Sequence, residues 1–137
     1  MDWTLEVVVV PVSDVERSKR FYAEQLGFNV DSDVMSGPVR VVQLTPPGSA
    51  CSITVGPLVV DTVPESSARF QLVVSDIEAA RRTLLERGVE VSDVQQFGQR
   101  GPEPGHGGNY NAFVFFKDPD GNNWGVQEVT RRLTVAA

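Results

Sequence analysis

Short apolar runs alternate with polar, glycine-marked breaks along this chain, and the two halves share one pattern. "LEVVVVPV" (residues 5–12) and "RFQLVV" (69–74) are β-branched or apolar runs that suit strands. Each leads into the same phrase: Val-Ser-Asp-(Val/Ile)-Glu at residue 12 and again 62 positions later. Apolar and small residues then recur at helical spacing, at Val15, Ser18, Tyr22 and Leu26 and at Ile77, Ala80 and Leu84. Ser13 with Glu16, and Ser75 with Glu78, read as capping boxes that start these helices. Gly27 and Gly88 stand where C-caps belong. Three strand-like runs follow each helix, near 28–33, 38–45 and 50–56 and near 89–96, 110–117 and 122–129.

A phrase repeated twice at this length indicates duplication of one supersecondary unit rather than a solenoid. The predicted fold class is α+β: tandem βαβββ modules, two curved mixed sheets facing a cleft, with one helix on the outside of each. A sheet with a helix on one face must bury the other, which is why the modules are expected to face each other. The predicted boundaries are 1–57 for the first module, 58–68 for a linker, 69–130 for the second module and 131–137 for a tail, all within one structural domain. The stretch "FGQRGPEPGHGGNYN" (97–111) holds five glycines and two prolines and is expected to form an irregular lid or binding loop.

Composition narrows the function classes. A net charge of -6 without a basic stripe argues against a nucleic-acid partner. The single cysteine excludes an internal disulfide and fits a reducing compartment. The apolar N-terminal run is too short to span a bilayer and has no basic segment before it, so no membrane partner and a cytoplasmic location are expected.

"VSDVERSKRFYAEQLGF", "VSDIEAARRTLLERGVEV" and "FKDPDGNNWGVQE" together resemble the vicinal oxygen chelate superfamily: glyoxalase I, extradiol dioxygenases, fosfomycin-resistance and bleomycin-resistance proteins. The resemblance implies a cleft in which metal-dependent members gather four ligands, usually His, Gln or Glu. Carried over by distance from the anchors, those positions fall on Val7, Thr54, Phe70 and Gly125. Three of these residues carry no donor atom, and a threonine hydroxyl alone is a poor ligand. A shift of one residue offers Glu6 and Gln71, expected on the opposite strand faces, and Trp124 or Val126. No metal and no cofactor are therefore expected.

Alternation assigns a mainly apolar cleft lining: Leu5, Val7 and Val9, with Trp3 at the rim; Ser52 and Thr54; Phe70 and Leu72; Asn123, Gly125 and Gln127. Gly125, in mid-strand, reads as room for a ligand opposite Val7 and Phe70. Two functions from different classes fit this lining. One is a metal-independent binding protein of the bleomycin-resistance type, a homodimer sequestering an apolar or aromatic small molecule. The other is a metal-free isomerase or lyase using side-chain acid/base catalysis, for which His106, Tyr110 and Glu103 are the candidate proton carriers.

Overall fold

A strand and then a helix open each half of the computed structural model, which describes residues 1–56 and 69–132, and the last strand of each half pairs with its first. In the first half, β1 (Val7–Val9) leads to α1 (Val15–Arg20), which continues as a π-helical turn over Phe21–Gln25. Strands β2 (Asn29–Ser36), β3 (Val39–Thr45) and β4 (Ser52–Val55) follow. They form a four-stranded sheet of order β1-β4-β3-β2, with β1 parallel to β4 and the other pairs antiparallel. The second half contains β5 (Arg69–Val74), α2 (Ile77–Glu86), β6 (Gln95–Gly98), β7 (Gly101–Pro104), β8 (Phe113–Lys117) and β9 (Asn123–Glu128). Its sheet has five strands in the order β5-β9-β8-β6-β7, again with the first and last parallel. The class is thus α+β, with two mixed sheets and a helix in each half.

The chain divides into two compact units, Met1–Ser66 with Asp118–Asn122, and Ser67–Lys117 with Asn123–Ala137. The expected linker, 58–68, lies outside the described residues, as do 133–137 of the expected tail. No helix among the described residues is long and apolar enough to cross a membrane.

Two local expectations change. The helix N-caps are Asp14 and Asp76, not the serines before them: each aspartate is extended and its carboxylate accepts from the backbone N–H three residues on, Arg17 or Ala79, at 3.1 Å. A carboxylate also complements the positive helix N-terminus better than a hydroxyl does. The C-cap reading holds. Gly27 and Gly88 sit at φ 77 and 79, and the next N–H closes back on Tyr22 O at 2.8 Å and on Leu84 O at 2.9 Å.

The second change is in 97–111. Its start is a hairpin: Gln95 pairs with Pro104, Gln96 with Glu103 and Phe97 with Pro102. Prolines are tolerated because β7 is the edge of the sheet, where a missing N–H leaves no ladder bond unmade. The same prolines keep that edge from templating another strand.

The first unit's core is one face of its sheet, with Val10, Val42, Leu44, Ile53 and Val55 buried. Against it lie Ser18 of α1 and Phe21 and Tyr22 of the π turn, with the Tyr22 and Phe28 rings stacked 5.7 Å apart. Lys19 joins α1 to the sheet through Asp33 at 2.7 Å. Arg40 hydrogen bonds, then those of Lys19, hold the Asp33 carboxyl well below the usual carboxylate range.

The turn Asp118–Asn122 belongs to this first unit although it joins β8 to β9. Buried Asp118 accepts from Tyr22 Oη at 2.6 Å, from Asn122 N and Nδ2 at 2.8 Å, and from Asp120 N at 3.0 Å. Asp120 in turn accepts from the Ser13 hydroxyl and from Arg17 Nη2 at 2.9 Å, and Asn122 Nδ2 donates to Pro11 O at 2.9 Å. Ser13 is therefore a partner of this turn rather than a helix cap.

Candidate binding face

Register decides which side chains share a face. In the second unit Phe70 pairs with Trp124, Leu72 with Val126 and Val74 with Glu128, while Val114 and Phe116 of β8 pair with Val126 and Trp124. Trp124, Val126, Val114 and Phe116 are buried, and Glu128 Oε1 accepts from Ile77 N at the start of α2 at 3.0 Å. This is the helix-covered face. Phe70 and Leu72 belong to it, their expected place beside Gly125 being off by one residue. The 62-residue repeat explains the slip, because it maps Val9 onto Gln71 and Val7 onto Arg69.

The helix-free face of the second sheet is formed by Arg69, Gln71 and Val73 of β5, Asn123, Gly125 and Gln127 of β9, and Phe113, Phe115 and Lys117 of β8. Phe97 of β6 joins them, its ring edge-on to Phe113 at 5.1 Å and to Phe115 at 6.4 Å. Phe113 and Phe115 stack at 5.9 Å with planes 11° apart, and the Arg69 guanidinium carbon lies 4.2 Å above the Phe115 ring. Phe97 remains 44% exposed and Phe113 and Phe115 are only part-buried, so these rings are not a filled core.

Gly125 is explained differently from the expectation. A methyl group placed on it would lie 3.1 Å from Arg69 Cδ and 3.3 Å from Phe115 Cε1. The space above the glycine is taken by its cross-strand partner Phe115 and by Arg69, the arrangement in which an aromatic neighbour covers a strand glycine. Gly125 is what lets Phe115 and Arg69 meet.

In the first unit, Val7 pairs with Ser52 and Val9 with Thr54, which in turn pairs with Gln43, so all five share the face opposite the core. Ser52 Oγ lies 2.6 Å from Thr45 Oγ1. Trp3 and Leu5 precede β1 and are 87% and 70% exposed.

The three candidate proton carriers have other partners. His106 Nε2 lies 2.5 Å from Glu128 Oε2, and its Nδ1 accepts from Gly108 N at 3.1 Å. That accepting Nδ1 places the ring proton on Nε2, pointing at the carboxylate. Glu128 is the buried residue that also receives α2, so His106 serves the helix-covered side. Tyr110, at φ 65, donates its backbone N–H to Glu128 O and offers its carbonyl to Gln127 Nε2 at 2.9 Å. Glu103 is on edge strand β7, with its carboxylate over Gly98.

The helix-free faces offer few metal donors among the described residues. The helix-free faces bring Val7, Val9, Ser52 and Thr54 in one unit and Arg69, Gln71, Gly125 and Gln127 in the other, with no carboxylate or imidazole at these positions. Gln71 and Gln127 are already hydrogen bonded to each other at 2.9 Å. Among the described residues, no three His, Cys, Asp or Glu side chains come together to hold an ion. Elsewhere, an open depression of about 540 Å³ on the outside of α1 is lined by Glu16, Lys19, Arg20, Ala23 and Glu24, charged side chains unsuited to an apolar guest.

The family model for the Glyoxalase/Bleomycin resistance protein/Dioxygenase superfamily matches residues 4–126. The chain belongs to this superfamily. TnmS3, an antibiotic binding protein from Streptomyces sp. CB03234, is 31% identical, with a TM-score of 0.72 over 93% of this chain and 97% of that one. A glyoxalase/bleomycin resistance protein from the same organism is 32% identical, with a TM-score of 0.69 over 91% of this chain and all of its own. A glyoxylase-like domain-containing protein of Didymella fabae is 26% identical over 123 residues, 87% of this chain and 88% of its own.

The sequence reading missed Phe97, Phe113 and Phe115. The signal was present in "FVFF": the period-2 alternation that assigned Gly125 to a face also puts Phe113 and Phe115 beside it.

Proposed function

We propose that this superfamily member is a metal-independent small-molecule-binding protein that takes a planar aromatic ligand against the Phe97–Phe113–Phe115 face of its second sheet. The carrying observation is that these three rings stand on the helix-free face with Arg69 poised over one of them. Aromatic rings in mutual contact present a polarizable surface of ring faces and edges, and each offset-stacked or edge-to-face contact with a guest contributes about 0.5–1.5 kcal/mol beyond burial. Support also comes from the likeness to an antibiotic binding protein. Acid/base catalysis draws less support, since His106 is engaged with Glu128 and Glu103 lies on the sheet edge.

The test is calorimetric titration of the purified chain with 2-methoxynaphthalene, before and after exhaustive EDTA dialysis. Saturable binding with the same affinity in both preparations is expected. Loss of binding on chelation with recovery on adding zinc or nickel would overturn the metal-independent reading, and no saturable binding in either would overturn the aromatic one.

A further inference from the structure

The helix-free face of the second sheet carries a hydrogen-bond chain whose direction is set by the backbone. Gln127 Nε2 donates to Tyr110 O at 2.9 Å. A carbonyl oxygen only accepts, so the Gln127 amide cannot be reversed without losing that bond. Gln127 Oε1 is therefore turned toward Gln71, whose Nε2 donates to it at 2.9 Å. Gln71 must in turn present its own Oε1 away from Gln127, and that oxygen accepts from no described residue. Tyr110 holds its carbonyl in place through an unusual left-handed backbone, φ 65, and through its N–H to Glu128 O at 3.0 Å.

The position of this oxygen matters. Gln71 pairs with Gly125, and Gly125 pairs with Phe115, and the Arg69 side chain crosses above the glycine to reach the Phe115 ring, so Arg69 is the side chain between Gln71 and the aromatic strand. Two inter-strand spacings, roughly 9–10 Å, separate β5 from β8. Two or three fused rings resting on Phe113 and on the outer face of the Arg69 guanidinium would span that distance and bring their edge to Gln71.

We propose that Gln71 is the specificity-determining residue of this face and Gln127 its positioning residue, together selecting aromatic ligands that carry a ring hydroxyl or N–H donor. The inference rests on the aromatic-face reading above and adds to it the polarity of the ligand's edge. An acceptor held in one orientation before binding loses less freedom on meeting a donor than a freely rotating amide does. A ligand without the donor leaves Gln71 Oε1 to be stripped of water with nothing in return.

Affinities of 2-naphthol and 2-methoxynaphthalene, which differ in the donor, are measured by calorimetry for the wild-type chain and for Gln127→Leu. In the wild type the naphthol is expected to bind about 5-fold more tightly, the worth of one net hydrogen bond. In Gln127→Leu the ratio is expected to fall toward 1, because the freed Gln71 amide turns its oxygen to the naphthol only part of the time and can also turn its N–H to the ether oxygen of 2-methoxynaphthalene. A ratio removes the stacking contribution common to both probes, so a general weakening of the face does not imitate the result. Should Gln127→Leu fold poorly, Gln71→Leu, on an exposed position, is expected to lower the ratio in the same way. Equal wild-type affinities would overturn this proposal while leaving the aromatic face standing. A ratio kept at about 5 in either variant would overturn it too. Binding of neither probe to the wild type would overturn the aromatic face and this proposal with it.

Discussion

Asp118→Ala is expected to lower the stability of the chain by about 3–5 kcal/mol, the size reached when several buried donors lose one charged acceptor. Four donors converge on that carboxylate: Tyr22 Oη, Asn122 N and Nδ2, and Asp120 N. Tyr22 is fully buried and Asn122 and Asp118 nearly so, which leaves water little access to replace the missing oxygens. Urea unfolding measures the effect as a lower midpoint at unchanged slope. A loss below about 1 kcal/mol would show that the turn is held by its neighbours and not by this carboxylate. "DPDGN" thus has a physical role: it supplies the residues that seat the β8–β9 turn against Tyr22, Ser13 and Pro11 of the first unit.

Phe113→Ala is expected to weaken 2-methoxynaphthalene about 10-fold or more, in keeping with the roughly 1–3 kcal/mol that stacking on an aromatic side chain contributes per base in nucleic-acid complexes. Phe113 lies edge-on to Phe97 at 5.1 Å and stacked with Phe115 at 5.9 Å, the two shorter of the three ring contacts. Being only part-buried, it contributes less to folding than a core phenylalanine, so the variant is expected to unfold cooperatively near the wild-type midpoint. Calorimetry of the folded variant is the check, and an unchanged dissociation constant would remove Phe113 from the binding surface.

The repeated phrase makes the architecture readable in the sequence, because each part of it has a local cause. A β-branched run, an aspartate-started helix and a glycine at positive φ specify a strand, a helix and its end. The side-chain faces were less legible. A one-residue slip in counting back from Asp76 moved Phe70 and Leu72 to the wrong side, since a strand reverses its faces with every residue. The β6–β7 hairpin was hidden by Pro102 and Pro104, which oppose a strand everywhere except at an edge, and nothing local announces an edge. Gly125 was recognised as unusual, but what fills its place is a neighbour from another strand, Phe115, and cross-strand pairing is non-local. His106 met Glu128 for the same reason: 22 residues of chain separate two groups that the fold brings together.

Amide chemical-shift mapping tests most directly whether an aromatic ligand occupies the helix-free face of the second sheet. ¹⁵N-labelled, EDTA-treated chain is titrated with 2-naphthol and the shifted amides are assigned. Ring-current shifts centred on Phe97, Phe113, Phe115, Gln71 and Gln127 are the predicted result. Shifts centred instead on the charged depression at Glu16, Lys19 and Ala23, or on the helix-covered residues Phe70 and Trp124, would contradict it.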